Sequence, residues 1–130
     1  MNMNMQTLSA QEVVQSYLDA FTARDLARCL EHFSGDAKVE FVTATYQGKG
    51  PLEEWHTARF GANAQVVRID DIKTDGDIVT INGVVTSKRL KAWRITNLSG
   101  KAIFQVRDGK IAGVKFGLRN YNPAEAFRSK

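Results

Sequence analysis

The chain is 130 residues long, with 18 Lys and Arg against 14 Asp and Glu, a formal charge of +4, 43% hydrophobic residues and 25% charged. Those proportions belong to an ordinary globular protein and exclude collagen, coiled-coil and disordered chains, while the length suits one domain and not two. A chain of this size buries roughly two-thirds of its unfolded surface, enough for a real core and a cavity within it.

Ser9-Ala-Gln-Glu12 is a capping-box signature, and Val13, Val14, Tyr17, Leu18 and Phe21 follow at helical spacing. This predicts a first helix over about 10–22. Leu26, Cys29, Leu30 and Phe33 repeat the pattern, with Asp25 where its charge suits the helix dipole and Ser34-Gly35 as a stop. Residues 37–42 then alternate as a strand whose inner side carries Val39 and Phe41. Gly48-Lys-Gly50-Pro51 breaks the chain and opens a third helix, with Leu52, Trp55, His56, Arg59 and Phe60 on one face and an end near Gly61.

From residue 64 onward the pattern is β. Two Asp-Gly turns, Thr74-Asp-Gly-Asp77 and Arg107-Asp-Gly-Lys110, each join a pair of apolar runs into a hairpin. Leu90-Lys-Ala-Trp-Arg-Ile95 between them reads as a further strand, followed by a loop at 96–100, and the tail after Tyr121 reads as loosely attached, with short flexible ends at about 1–8 and 122–130. Three helices followed by a meander of long antiparallel strands is an α+β order, helices covering one face of a single sheet. Strands this long curl, and a sheet curled around helices leaves a cone with an apolar mouth, a natural ligand cavity.

Cys29 stands alone and in no CxxC spacing, so disulfide staples, zinc ribbons and thioredoxin chemistry drop out; on its helix it reads as a small core residue. The first residues lack the basic and apolar runs of a signal peptide, and no apolar stretch approaches the roughly 20 residues that span a bilayer. A soluble, cytoplasmic protein is expected, with no membrane contact. No pair of His, Asp or Glu has metal-ligand spacing and no glycine-rich loop is placed for phosphate, so neither metal nor cofactor is expected.

The element order and a series of phrases resemble the nuclear-transport-factor-2-like superfamily, and within it the SnoaL-like and ketosteroid-isomerase-like proteins. The phrases are Val13-Val-Gln-Ser-Tyr17, Ala23-Arg-Asp-Leu26, Leu30-Glu-His-Phe33, Asp36-Ala-Lys-Val39, Tyr46-Gln-Gly48 and Asp108-Gly-Lys-Ile111, spread over nearly the whole chain. The resemblance implies a cone of three N-terminal helices on one strongly curved, mainly antiparallel sheet. It does not settle function, because the superfamily holds isomerases, dehydratases, epoxide hydrolases, polyketide cyclases and binding modules.

Carried over residue by residue, the resemblance keeps one catalytic group and loses two. Tyr17 matches the tyrosine that donates to a developing oxyanion. The general-base aspartate after the Val-Glu pair of the first strand is Phe41 here, and the second oxyanion acid maps to Ala102. Steroid-type isomerisation needs a carboxylate and a donor pair, so that reaction is disfavoured. An epoxide-hydrolase Asp–Arg–Asp set is disfavoured too, since its last aspartate maps near Phe116. His56 matches the family's second tyrosine, the partner of the first, so a Tyr17–His56 contact is expected, with Tyr17 as oxyanion donor and His56 as acid–base group. The bland alternative is a histidine satisfied by a backbone carbonyl or water; His32, near a helix end, is expected to reach solvent.

Alternation places Val39, Phe41 and Thr43 on one side, Ala102, Phe104 and Val106 on another shared face, and Val114, Phe116 and Leu118 together. With Phe21, Trp55 and Trp93 these line an expected pocket for a small, flat, apolar molecule. Trp93 reads equally as core or as part of an interface, and Arg59 and Arg94 could meet a carboxylate at the mouth, although pairing of Arg59 with Glu53 or Glu54 is the simpler reading. Residues 1–65 carry a balance of −3 and residues 66–130 a balance of +7. That basicity is expected on the outside of the cone, at Lys115 and Arg119, and nucleic acid is not the expected partner. Two readings stand: an isomerase, cyclase or lyase acting on a small carbonyl compound through Tyr17 and His56, or a non-catalytic binding or scaffold module, either one dimerising through the outer sheet face.

Overall fold

The computed structural model describes residues 9–41, 43–95 and 97–118, with Leu118 described by its backbone alone. The expected flexible ends, the tail after Tyr121, and Val42, Thr96 and Arg119 lie outside the described residues.

Helix α1 spans Ala10–Thr22 and starts with the expected capping box: Ser9 Oγ accepts from Glu12 N, and Ser9 N donates to the Glu12 carboxylate. Its buried side is Val13, Val14, Tyr17 and Ala20. Helix α2, Leu26–Glu31, is capped by Asp25 and buries Cys29. It stops two residues short of the expected end, because Phe33 pairs with Ile111, and Ile111 N donates to the His32 carbonyl. The ladder to a distant strand takes Phe33 away from the helix.

Strand β1 is Phe33–Phe41 and β2 is Ala44–Gln47, a short return strand that sequence alternation does not announce. Helix α3, Lys49–Gly61, begins after Gly48 at φ 92°, and Pro51 falls in its first turn, where no N–H is required. Strands β3, Gln65–Asp75, and β4, Ile78–Thr86, form the first hairpin, with Gly76 at φ 60°. Strands β5, Leu98–Arg107, and β6, Lys110–Leu118, form the second, with Asp108 and Gly109 both at positive φ, as a tight hairpin turn demands.

The expected strand at Leu90–Ile95 is instead a short helix, α4, Lys88–Ala92. Ser87 caps it by accepting from Leu90 N, all five of its residues are good helix formers, and Arg94 sits at φ 63°, which no strand accommodates. A fourth helix therefore joins the three expected ones.

The six strands form one sheet in the order β2-β1-β6-β5-β4-β3, antiparallel throughout except for the β1–β6 pair. Helix α1 lies across β3 to β6, while α3 covers β1 and β2 and α2 bridges the two helices. The sheet is therefore wrapped around its helices, the α+β cone that the sequence implies. Between helices and sheet lies the core, including Val39, Val79, Ile81, Phe104, Val106, Ile111 and Val114.

Bulges in β3, between Val66 and Arg68 and between Ile69 and Asp71, set which side chains face inward. Pairing of Val66 with Val85, Ile69 with Gly83 and Ile72 with Ile81 puts all three on the helix side. Ile72 is half-buried, but Val66 and Ile69 are 38% and 41% exposed, as is Leu98 at 40%. The inner face is thus dry under α1 and open beyond its end, which defines the wide mouth of the cone.

Candidate functional site

Tyr17 projects from the buried side of α1 and His56 from the buried side of α3, and the two meet at 2.8 Å between Tyr17 Oη and His56 Nε2. Neither reaches solvent: Tyr17 is 4% exposed and His56 0%. The second ring nitrogen of His56 lies 2.8 Å from the carbonyl of Leu52, one turn earlier on the same helix. A carbonyl can only accept, so Nδ1 carries the proton, Nε2 presents a lone pair, and Tyr17 donates to it. The direction of the hydrogen bond is fixed by the helix backbone.

Burial pushes the His56 pKa below its ordinary value, partly opposed by the hydrogen bond to Leu52, and pushes the Tyr17 hydroxyl well above its own. Both groups are neutral around pH 7. With its single O–H directed at His56, Tyr17 has no donor left for an oxyanion, the role that the resemblance implies for it, and presents only the lone pairs of its oxygen. Rings surround the pair: Phe33 lies 5.2 Å and Phe104 6.0 Å from Tyr17, with Trp55 4.9 Å from His56, all edge-on. Phe21 and Phe60 close the side toward the mouth.

His32, expected to reach solvent, is half-buried at the end of α2 and is held by the same device, a bond from its ring to the carbonyl four residues earlier. Its Nδ1 is 2.7 Å from the Arg28 carbonyl and its Nε2 2.8 Å from Ser16 Oγ, so both nitrogens are satisfied by protein. Cys29 is buried, and burial together with nearby Asp25 raises its thiol to about 11, leaving no thiolate for chemistry near neutrality.

A second cluster adjoins the first on the β1 side. Trp55 stacks on Phe116 at 5.5 Å and meets Phe41 edge-on at 5.6 Å, and Phe41 and Phe116 contact each other. The Arg59 guanidinium lies over Phe41 at 4.6 Å and over Trp55 at 5.5 Å. Neither Glu53 nor Glu54 pairs with it. Trp55 Nε1 and Arg59 Nη1 are buried with no hydrogen-bond partner among the described residues.

Of the expected site residues, Tyr17, His56, Phe21, Trp55 and Phe104 thus form one contiguous group, joined by Phe41, Phe116 and Arg59. Val39 and Val106 sit deeper in the core. The Leu118 side chain is outside the described residues. Trp93 lies on no strand: it caps the end of α4, 67% exposed, and makes no ring contact with the cluster among the described residues. Sequence reasoning omitted Phe33, Phe60, Val66, Ile69 and Leu98 from the site. Phe33 could have been found by reading it as the start of a strand; Val66 and Ile69 share the inner face only because of the β3 bulges, which leave no mark in the residue pattern. Of two surface hollows, one of about 540 Å³ over Gly50 and Thr57 touches no cluster residue, and one of about 440 Å³ beside Leu30 and Lys110 touches the cluster through Phe33 alone. Among the described residues no group of His, Cys, Asp or Glu could hold a metal ion, and no helix is long and apolar enough to cross a membrane.

Solved structures share this architecture. A candidate polyketide cyclase from Sinorhizobium meliloti is 23% identical, covering 84% of this chain and 99% of its own, with a TM-score of 0.72. SalBIII, an epoxide hydrolase/cyclase-like enzyme with a role in pyran ring formation in the polyether salinomycin, is 16% identical, covering 83% of this chain and 88% of its own, with a TM-score of 0.73. An NTF2-like protein of unknown function from Cytophaga hutchinsonii is 9% identical over 95% of this chain and 98% of its own, at 0.70. These likenesses establish the fold. The SnoaL-like domain model matches residues 14–114, a span that runs from the Tyr17 helix to the last strand, and the chain belongs to the SnoaL-like domain family.

Proposed function

We propose that the chain binds a small, flat, apolar carbonyl compound on the inner sheet face and moves a proton on it through Tyr17 and His56, in isomerase-, cyclase- or lyase-type chemistry. The observation that carries this reading is the 2.8 Å hydrogen bond between Tyr17 and His56, whose direction the Leu52 carbonyl fixes. The C–H bond beside the substrate carbonyl breaks, its proton goes to the Tyr17 oxygen, and Tyr17 passes its own proton to His56 Nε2. The electron pair moves onto the carbonyl oxygen as an enolate. Return of a proton at another carbon completes an isomerisation. The lowered His56 pKa keeps the imidazole in the neutral form that can accept. Phe41, where ketosteroid-isomerase-like proteins carry an aspartate, supplies a wall and no base.

Phe21, Phe41 and Phe116 serve as the walls of the ligand site, with Val39, Phe104 and Val106 behind them. The same reading takes the chain as one cytoplasmic domain that works as a homodimer through the outer sheet face and needs neither metal nor cofactor for this proton transfer. Deuterium uptake beside the carbonyl of 2-tetralone in D2O, followed by NMR, tests it. Exchange faster than in buffer is expected, and it should vanish in Tyr17→Phe and in His56→Gln; unchanged rates in both variants would sink the reading.

A non-catalytic binding module is favoured by one observation, the burial of both groups behind aromatic rings. In that case 2-tetralone binds the native chain without exchange.

A further inference from the structure

Every polar atom of the Tyr17–His56 pair is accounted for, but two donors beside it are not. Trp55 is 4% exposed, and its indole N–H has no acceptor. One turn later on α3, Arg59 Nη1 is likewise buried and unpartnered. A buried donor left unpaired costs on the order of 1–3 kcal/mol, and native proteins leave few of them. The two donors stand on adjacent turns of one helix, with the Arg59 guanidinium 5.5 Å from the Trp55 ring and 4.6 Å from Phe41, so that one acceptor beside Phe41 could serve both.

The surroundings define its chemistry. Among the described residues no carboxylate pairs with Arg59; the groups that bear on its charge are the Tyr46 hydroxyl and a second cation, Arg89 from α4. A guanidinium keeps its proton, so the charge stays, and no carboxylate among the described residues stands against it. The three rings of Phe41, Trp55 and Phe116 offer a flat apolar body a stacking surface next to that charge.

We infer that Trp55 Nε1 and Arg59 Nη1 form an anion clamp, and that the ligand is a flat apolar acid whose carboxylate they hold while its rings lie against Phe41 and Phe116. This rests on the reading that the inner face binds a small apolar molecule and adds that the molecule carries one anionic end. The clamp would set the ligand's orientation, with the acid group toward α3 and the remaining skeleton toward Tyr17.

The test compares naphthalene-2-carboxylate with its neutral methyl ester, reading the two indole N–H signals of 15N-labelled protein, with Trp93→Phe assigning them. The acid should bind about tenfold or more tightly than the ester, the scale of one charge-assisted hydrogen bond, and should move the Trp55 N–H downfield. In Arg59→Met the preference for the acid should fall toward one, and Trp55→Phe, which keeps a ring but removes the donor, should reduce it. Equal binding of acid and ester, or an unmoved Trp55 signal, overturns the clamp while leaving apolar binding intact. Failure of both compounds to bind overturns the binding reading itself, and the clamp with it.

Discussion

At the scale of single residues, the Tyr17–His56 bond makes the chain sensitive to acid. His56 is neutral in the fold with a pKa below 6.5, while the unfolded chain holds it near 6.5. Below pH 6.5 the unfolded state therefore binds a proton that the folded state refuses. The His56 contribution is fully present above pH 6.5 and is lost as pH falls toward the lowered folded value, with a slope of at most about 1.4 kcal/mol per pH unit. Denaturant midpoints at pH 7.5 and 5.5 should show this loss in the native chain and a flatter dependence in His56→Gln; the same slope in both would refute it. The pair was legible in the sequence because both residues sit on apolar helix faces and match positions of a known pair. The clamp was only half legible. Arg59 was read as a carboxylate-binding candidate, but the orphaned Trp55 N–H follows from three-dimensional packing that spacing does not encode.

Among the elements, the helices were most readable, since the Ser9–Glu12 box and the apolar spacing of α1 act locally. The strand expected at 90–95 failed for a local reason as well, the Ser87 cap, which outweighs a short apolar alternation. What could not be read was the bending of β3. Its first bulge brings the Arg68 carbonyl over Gly83, where an added Cβ would sit 2.7 Å from that oxygen. Only glycine allows this approach. Gly83→Ala should therefore force the β3–β4 pair apart and lower stability by about 1–3 kcal/mol, as overpacking does, measured by urea denaturation. An unchanged midpoint would show that the strand yields freely. The same variant should disturb the mouth, because Gly83 lies between Ile69 and Gly100 on the inner face.

For the whole molecule, the opposite charges of the two halves of the sequence meet in the fold. The parallel β1–β6 pair sets Glu40 of the acidic half beside Lys115 of the basic half, 3.4 Å apart on the outer face. Lys110 Nζ donates to the Glu31 backbone carbonyl at 2.6 Å, a tie between the halves that neutralises no charge. Part of the asymmetry is thus neutralised across one strand pair, which fits a face that meets a second copy better than one that attracts nucleic acid. Light scattering should return twice the 14.5 kDa chain mass, and Gln105→Arg on that outer face should return the monomer mass. A native chain of 14.5 kDa would exclude the dimer.

Strand β3 closes one side of the sheet, and its free edge runs for 11 residues with Val66, Val67 and Ile69 exposed along it. A straight apolar edge of that length would template further strands and seed aggregation. The two bulges that open the mouth also break the regular spacing of its outward N–H and C=O groups, and Arg68, Asp70 and Asp71 punctuate the apolar run with charge. The distortion that opens the inner face thereby also guards this edge against further strand pairing, so straightening β3 is expected to lower solubility.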